Sequence, residues 1–328
     1  RMAESDARRL AADPAVDYVE PDRRVRASTT QLNPPSWGLD RLDQRLLPMD
    51  GTYVHTRQSG NVTVFVIDTG ISISHQDFSG RARYGHDFVD GDTVADDCNG
   101  HGTHVAGTIG GDLHGVAKAV NLVALRVLDC QGSGTVSGVV AAVDWVSANR
   151  PARAVANLSL GLAGVSQPLE DAIRNSISRG TSYVVAAGNG SGADACGVSP
   201  ARVAEAITVG ASTSTDARAW FSNVGPCVDL FAPGEGITST WHTSTTAVNT
   251  ISGTSMAAPH VAGVIAWKLS RSMDNDIRTP QQLHDSLVWD ATPGVVGDPG
   301  PGSPNLLLFN RPKSVAGYAV HNGRLEGR

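Results

Sequence analysis

The sequence predicts an α/β domain: a mostly parallel central sheet with helices on both faces, three layers in all. Two observations predict it. The strand candidates are continuous apolar runs rather than alternating ones, as strands covered on both faces must be. Helical patterns fall between successive runs, as crossover connections require. The 328-residue chain also carries 36 glycines and few aromatics, which favours tight turns and close backbone packing.

In chain order, residues 1–26 stand apart. "ESDARRLAADPAVDYVEPDRRVRA" reads as a charged helix, a turn at Pro14 and a short strand "VDYVE". Residues 27–36, with "STTQLNPPS", read as a polar linker holding two prolines. The α/β pattern runs from Trp37 to about residue 310. "VTVFVIDTG" is a buried strand, "HGTHVAGTIGG" a helix of small residues, "AVNLVALRVLD" a strand and "TVSGVVAAVDWVSANR" a helix. "AVANLSLG" is a strand, "PLEDAIRNSISRG" a helix ending at Gly180, and "SYVVAAGNG" and "AITVGAS" are strands. "TSMAAPHVAGVIAWKLSRS" is a long apolar helix. Past "SPNLLLF", residues 311–328 lose periodicity and read as a tail, and there is no internal repeat.

Composition narrows the function. The net charge is −6 and no Lys/Arg-rich run stands out, which argues against nucleic acid. No apolar stretch is long enough to span a membrane. No secretory leader is visible in the stretch that opens "RMAESDARRL". Cys98, Cys130, Cys196 and Cys227 include no CxxC pair, so a zinc ribbon is not indicated. An even count suits two disulfides and an oxidising compartment; spacing alone also allows four buried thiols.

"VFVIDTG" raises a choice of chemistry. Asp-Thr-Gly serves aspartic proteases, but that reaction needs two carboxylates sharing a proton, and no second D-[ST]-G is present. "GSGTVSG" approaches a dinucleotide-binding turn, with imperfect spacing and no acidic residue placed to hold a ribose. A nucleophile candidate is Ser255 in "SGTSMAAPHVAG". There the start of the apolar helix offers free N–H groups and a positive dipole end. Pro259, near the helix start, lacks only an N–H that would be orphaned anyway. Taken alone, Ser255 or Thr254 reads more readily as a helix N-cap. "NGHGTHVAGTIGG" supplies a base in His101; His104, one turn on, reads as a core histidine. No H-E-x-x-H pattern accompanies the two, so zinc is not indicated. Asp68 closes its strand, where functional groups of open α/β sheets collect, and suits an orienting acid. Asn189 in "VVAAGNG" follows a strand end and offers an amide donor for an oxyanion; alone, it is a turn.

Together, "VIDTG", "GHGTHVAG", "AAGN" and "GTSMAAPHVAG" resemble the subtilisin-like serine proteases over residues 37–310. The resemblance implies a three-layer subtilisin-like fold and roles for Asp68, His101 and Ser255 as a triad, with Asn189 as oxyanion donor. An intact set argues against a catalytically silent binding scaffold. "WGLDRLDQRLLP", "DDCNGHGTHVAG", "RVLDCQGSG" and "FSNVGPCVDLFAPG" are similar to the proteinase K branch and its secreted aqualysin-like bacterial members.

That closer resemblance implies more. It pairs Cys98 with Cys130 and Cys196 with Cys227. It places a peptide substrate as an added strand between Gly132-Ser133-Gly134 and Ser159-Leu160-Gly161. Ala187 and Gly188 match the floor of the pocket for the residue before the cut. Small residues and no acid there imply an apolar or aromatic preference. Calcium is implied at Ala204, Ala206 and Asp229, at Asp40, Asp43, Gln44, Asp50 and Thr52, and at Asp87 and Asp92. Residues 1–26 resemble the end of an inhibitor-type propeptide, with processing between about Arg26 and Gln31. A secreted, monomeric endopeptidase acting on proteins and peptides, with its own propeptide as a further partner, is the expectation.

Overall fold

The computed structural model describes Arg9 and residues 29–55, 59–272 and 278–310. The helix and strand read in residues 1–26 (Arg9 apart) and the tail 311–328 lie outside these residues.

Nine strands form the main sheet. In chain order they are β3 (Thr63–Asp68), β4 (Ala82–Asp87), β5 (Asn121–Arg126), β6 (Ala154–Leu158), β7 (Ser182–Ala186), β8 (Ile207–Ser212), β9 (Leu230–Pro233), β12 (Thr292–Pro293) and β13 (Leu306–Leu307). Their spatial order is β12-β13-β9-β8-β7-β6-β3-β5-β4. Every pairing is parallel except β12 with β13. Two small antiparallel pairs lie outside it: β1 (Thr29–Leu32) with β2 (Thr52–His55), and β10 (Ile237–Thr240) with β11 (Val248–Ile251). Thr29–Leu32, read as linker, is therefore a strand, in register from Thr29↔His55 to Leu32↔Thr52. The prolines at 34 and 35 follow that strand instead of interrupting it.

The helices are α1 (Trp37–Leu42), α2 (His101–Gly110), α3 (Val136–Asn149), α4 (Gln167–Ser178), α5 (Thr254–Ser270) and α6 (Pro280–Asp290). Strand side chains alternate between two cores, as a period of two requires. Val64, Val66, Leu122 and Ala124 join Ile109 of α2 and Val261 and Ile265 of α5. Phe65, Ile67, Val123 and Leu125 join Val139 and Val143 of α3 and Ile173 of α4. The result is helix, sheet, helix. Local chemistry sets the helix starts. The Thr135 hydroxyl accepts from Gly138 N, and Thr279 forms a capping box with Gln282 ahead of Pro280.

β3 sits between β5 and β6, so the chain leaves it in opposite directions. A crevice opens at the carboxyl ends of the strands at such a switch point. Asp68 ends β3, Ser159 follows β6 and Ala187–Asn189 follows β7. These groups share one rim for that reason.

Candidate active site

Asp68 is fully buried, and one of its oxygens, Oδ1, accepts from Thr69 N at 2.8 Å. The same oxygen lies 2.7 Å from His101 Nδ1. That contact fixes the tautomer, because Nδ1 must donate and Nε2 is left as the acceptor facing outward. The His101 ring is 24% exposed. Burial pulls its pKa down, but the charge and hydrogen bond of Asp68, with the more distant charge of Asp97, outweigh this and hold it above the ordinary value. His104 is fully buried, and its Nε2–H donates to the Ile237 carbonyl. Burial holds His104 down at about 3, so it stays neutral in the core.

Ser255 occupies the second position of α5. Its hydroxyl donates to the Ser159 carbonyl at 3.0 Å, and among the described residues no hydrogen bond joins it to His101. In return the Ser159 hydroxyl donates to the Ser255 carbonyl at 2.7 Å. Pro259 explains the second bond. It lies inside α5, not in the first turn as the sequence suggested, and its missing N–H would have served the carbonyl four residues back. Ser159 takes that acceptor instead, and Asn157 Nδ2 steadies the Ser159 hydroxyl at 2.9 Å.

Asn189 is oriented through its oxygen. Oδ1 accepts from Thr254 N and Thr254 Oγ1, both at 2.9 Å. A backbone N–H can only donate, so the amide oxygen must face it and Nδ2 must point away. A Cβ on Gly253 would stand 3.7 Å from Asn189 Nδ2 and 3.6 Å from Ser255 N. The two donors thus flank one space, kept open because residue 253 has no side chain. The hydroxyl of Thr254 also accepts from Gly188 N at 3.1 Å.

A groove of about 430 Å³ runs past His101, lined by Gly132, Ser133 and Gly134 on one side and Ser159, Leu160 and Gly161 on the other. The Asp129 carboxylate accepts from Gln131 N and Ser133 N and so shapes the first edge. Ala187 and Gly188 are tied down by Asn223, whose side chain donates to the Ala187 carbonyl and whose N–H donates to the Gly188 carbonyl. Both disulfides form, Cys98–Cys130 and Cys196–Cys227, and the described residues contain no free cysteine.

Residues 59–308 match the Peptidase S8 family model, described as the subtilase family. The chain belongs to the subtilase family. This subtilase is 55% identical over 308 residues to the extracellular serine proteinase of Thermus sp. (strain Rt41A), covering 94% of this chain and 74% of that one. It is 53% identical over 307 residues to the alkaline serine exoprotease A of Vibrio alginolyticus, covering 92% of this chain and 56% of that one. Among solved structures it is similar to a cold adapted subtilisin-like serine proteinase, with a TM-score of 0.80 at 52% identity, over 84% of this chain and 98% of that one. It is a serine endopeptidase with the subtilisin-like fold.

Sequence reasoning missed three residues around the subtilase site: Asp97, Thr254 (read only as a cap) and Asn223. Each acts on a partner far along the chain, so no local pattern marks it. Asp97 alone had a faint signal, as an acid just upstream of the α2 start.

The expected calcium ligands differ in fit. The buried Asp40 turns Oδ2 to Gly51 N but leaves Oδ1 without a partner among the described residues. Burial, with repulsion from Asp50 and Asp40, pushes Asp43 up to about 6. Asp50 binds Thr52 through Oδ1, and Gln44 Oε1 accepts from Asp50 N. The orphaned Asp40 oxygen suits a hard cation, but Asp43 Oδ2 is taken by Val54 N at 2.6 Å, and among the described residues no three His, Cys, Asp or Glu side chains group to hold a metal ion. Asp229 gives Oδ2 to Thr208 N at 2.7 Å and meets His284 Nε2 with Oδ1 at 3.2 Å, so an ion held with Ala204 and Ala206 must share a carboxylate whose two oxygens already have partners. Asp87 does not fit: Arg126 already binds its Oδ2 at 2.6 Å, and Val89 N and Asp90 N take Oδ1. Asp92 Oδ1 is turned to Val94 N.

Proposed function

We propose that this subtilase cuts peptide bonds with Ser255 as nucleophile, His101 as proton carrier, Asp68 as orienting acid and Asn189 as oxyanion donor. The observation that supports this best is the 2.7 Å contact of Asp68 with His101 at the mouth of a groove walled by two backbone edges. Rotation of the Ser255 side chain off the Ser159 carbonyl presents Oγ to His101 Nε2. His101 takes the proton as Oγ attacks the scissile carbonyl and returns it to the departing amine. The developing oxyanion enters the space beside Gly253, within reach of Asn189 Nδ2 and Ser255 N. An acyl-enzyme forms, then water releases it. Treatment with a fluorophosphonate should label wild type at Ser255 and spare Ser255→Ala and His101→Ala. A wild-type chain that stays unlabelled and leaves casein intact would refute the assignment.

The substrate pairs as a strand with residues 132–134 and 159–161, and the small floor at Ala187 and Gly188 favours apolar or aromatic residues before the cut. A cleavage profile dominated by Lys and Arg would contradict it. Two disulfides support a secreted protein working in an oxidising setting. Residues 1–26 are read as the end of a propeptide that occupies this groove. Processing before Thr29 leaves the β1–β2 pair whole, whereas a cut at Gln31 removes half of β1. The mature enzyme acts as a monomer.

Calcium is the structural cofactor in this reading, held by Asp40, Asp43, Gln44, Asp50 and Thr52, and by Asp229 with the carbonyls of Ala204 and Ala206. Bound there, it would offset the repulsion that Asp50 and Asp40 exert on Asp43. Excess EGTA should lower the melting temperature of Ser255→Ala protein, which cannot digest itself, and Asp40→Asn should shrink that drop. An identical melting temperature with and without EGTA excludes the ion.

A further inference from the structure

We propose that Asp97 is a positioning residue for the reaction, its buried carboxylate clamping the Asp68 loop to the start of the His101 helix. The proposal rests on the triad reading above. The carboxylate is only 5% exposed and receives five donors. Oδ1 accepts from Thr69 Oγ1 at 2.9 Å, Asn99 N at 3.0 Å and Gly100 N at 2.8 Å. Oδ2 accepts from Thr103 N at 2.9 Å and Thr103 Oγ1 at 2.6 Å. Thr69 directly follows Asp68, while Asn99, Gly100 and Thr103 bracket His101. The Thr69 hydroxyl accepts in turn from Gly102 N at 2.9 Å. One anion thus holds a chain neighbour of the acid and three neighbours of the base.

A helix cap alone would not need the Thr69 bond. Capping at the usual position is closed to this helix. Gly100 has φ of 110°, and a Cβ there would stand 2.5 Å from the Trp241 ring. Asp97 serves the helix from three residues upstream and reaches β3 as well. Only a carboxylate can accept from all five donors; an amide would set an NH₂ group against some of them.

Charge gives the role a signature. Among the described residues, the charges that act on His101 are Asp68 at the end of β3 and Asp97, and His104, one turn along α2, is coupled to it; His242 lies beside Gly100 and Arg126 beside the Cys98 disulfide. Removing the Asp97 charge therefore lowers the His101 pKa, and loosening the clamp misplaces the ring.

The test compares Asp97→Asn with Thr69→Val, which cuts the tie to β3 and removes no charge. The readouts are kcat, KM, the acid limb of kcat/KM, and the NMR titration of the His101 Nδ1–H resonance in a Ser255→Ala background. D97N should lower kcat about 10- to 100-fold at little change in KM. It should also move the His101 titration down, because a charge that raises it is gone. T69V should lower kcat and leave that titration in place. A folded D97N that merely melts earlier, with kcat and titration unmoved, overturns the proposal. If D97N does not fold, a folded T69V with unchanged kcat and unchanged resonance overturns it. Failure of wild type to take a fluorophosphonate would sink the triad reading separately, since the resonance does not depend on Ser255 chemistry.

Discussion

Asn189 is held by its oxygen, which leaves its nitrogen free for the oxyanion role proposed for it. Thr254 supplies both anchoring donors, and the same hydroxyl takes Gly188 N. Asn189→Ala should therefore lower kcat with little change in KM, by the amount seen when this donor is removed from subtilisin itself, about 10²–10³-fold. An equal loss shared by KM would point to ground-state binding instead. His101 makes a second prediction. In its proposed role as base it must be neutral, and its pKa stands above the ordinary 6.5 because Asp68 outweighs burial. kcat/KM should thus rise with pH through a midpoint above 6.5 and level off on the alkaline side. The fold favours the protonated ring: that contribution is complete below pH 6.5 and is lost as pH climbs past the folded-state pKa. An acid limb centred below 6.5 would contradict this. At this scale the sequence singled out the four residues proposed for the reaction because each sits in a dense motif. Asp97 and Asn223 were hidden because a lone polar residue shows its meaning only once its partner is near.

At the scale of elements, α2 owes its place to a close approach. A Cβ on Gly102 would lie 2.2 Å from the Gly70 carbonyl and 3.2 Å from the Asp68 side chain. Gly102→Ala should wedge the helix away from β3 and cost at least about 100-fold in kcat/KM, well beyond the small helix-propensity gain of alanine. A near-wild-type Gly102→Ala would show that the helix can retreat without moving His101. The buried parallel strands were legible from unbroken apolar runs. β4 was not: "ARYGHD" is polar, contains a glycine and shifts register between Tyr84 and His86 at the sheet edge. β1 was hidden in a short polar run beside two prolines. β9, β10 and β11, four residues each, give too few periods to read.

Across the whole molecule, α1 is fastened to the loop after β8 by a buried ion pair. Arg41 meets Asp216 through Nε at 2.7 Å and Nη2 at 3.0 Å. Arg41 is 1% exposed, so removing its partner's charge leaves a buried cation. Asp216→Asn keeps the shape and tolerates the left-handed backbone of φ 62°. It should cost about 3–5 kcal/mol, read from the urea midpoint in a Ser255→Ala background. A shift under about 1 kcal/mol would place the pair among those that contribute little.

The site is stitched from distant pieces. Asp68 and His101 lie 33 residues apart, Asn189 and Thr254 65, and Ser159 and Ser255 96. A ribosome must release nearly the entire sheet before these pieces can meet. Cutting power therefore arrives late and all at once.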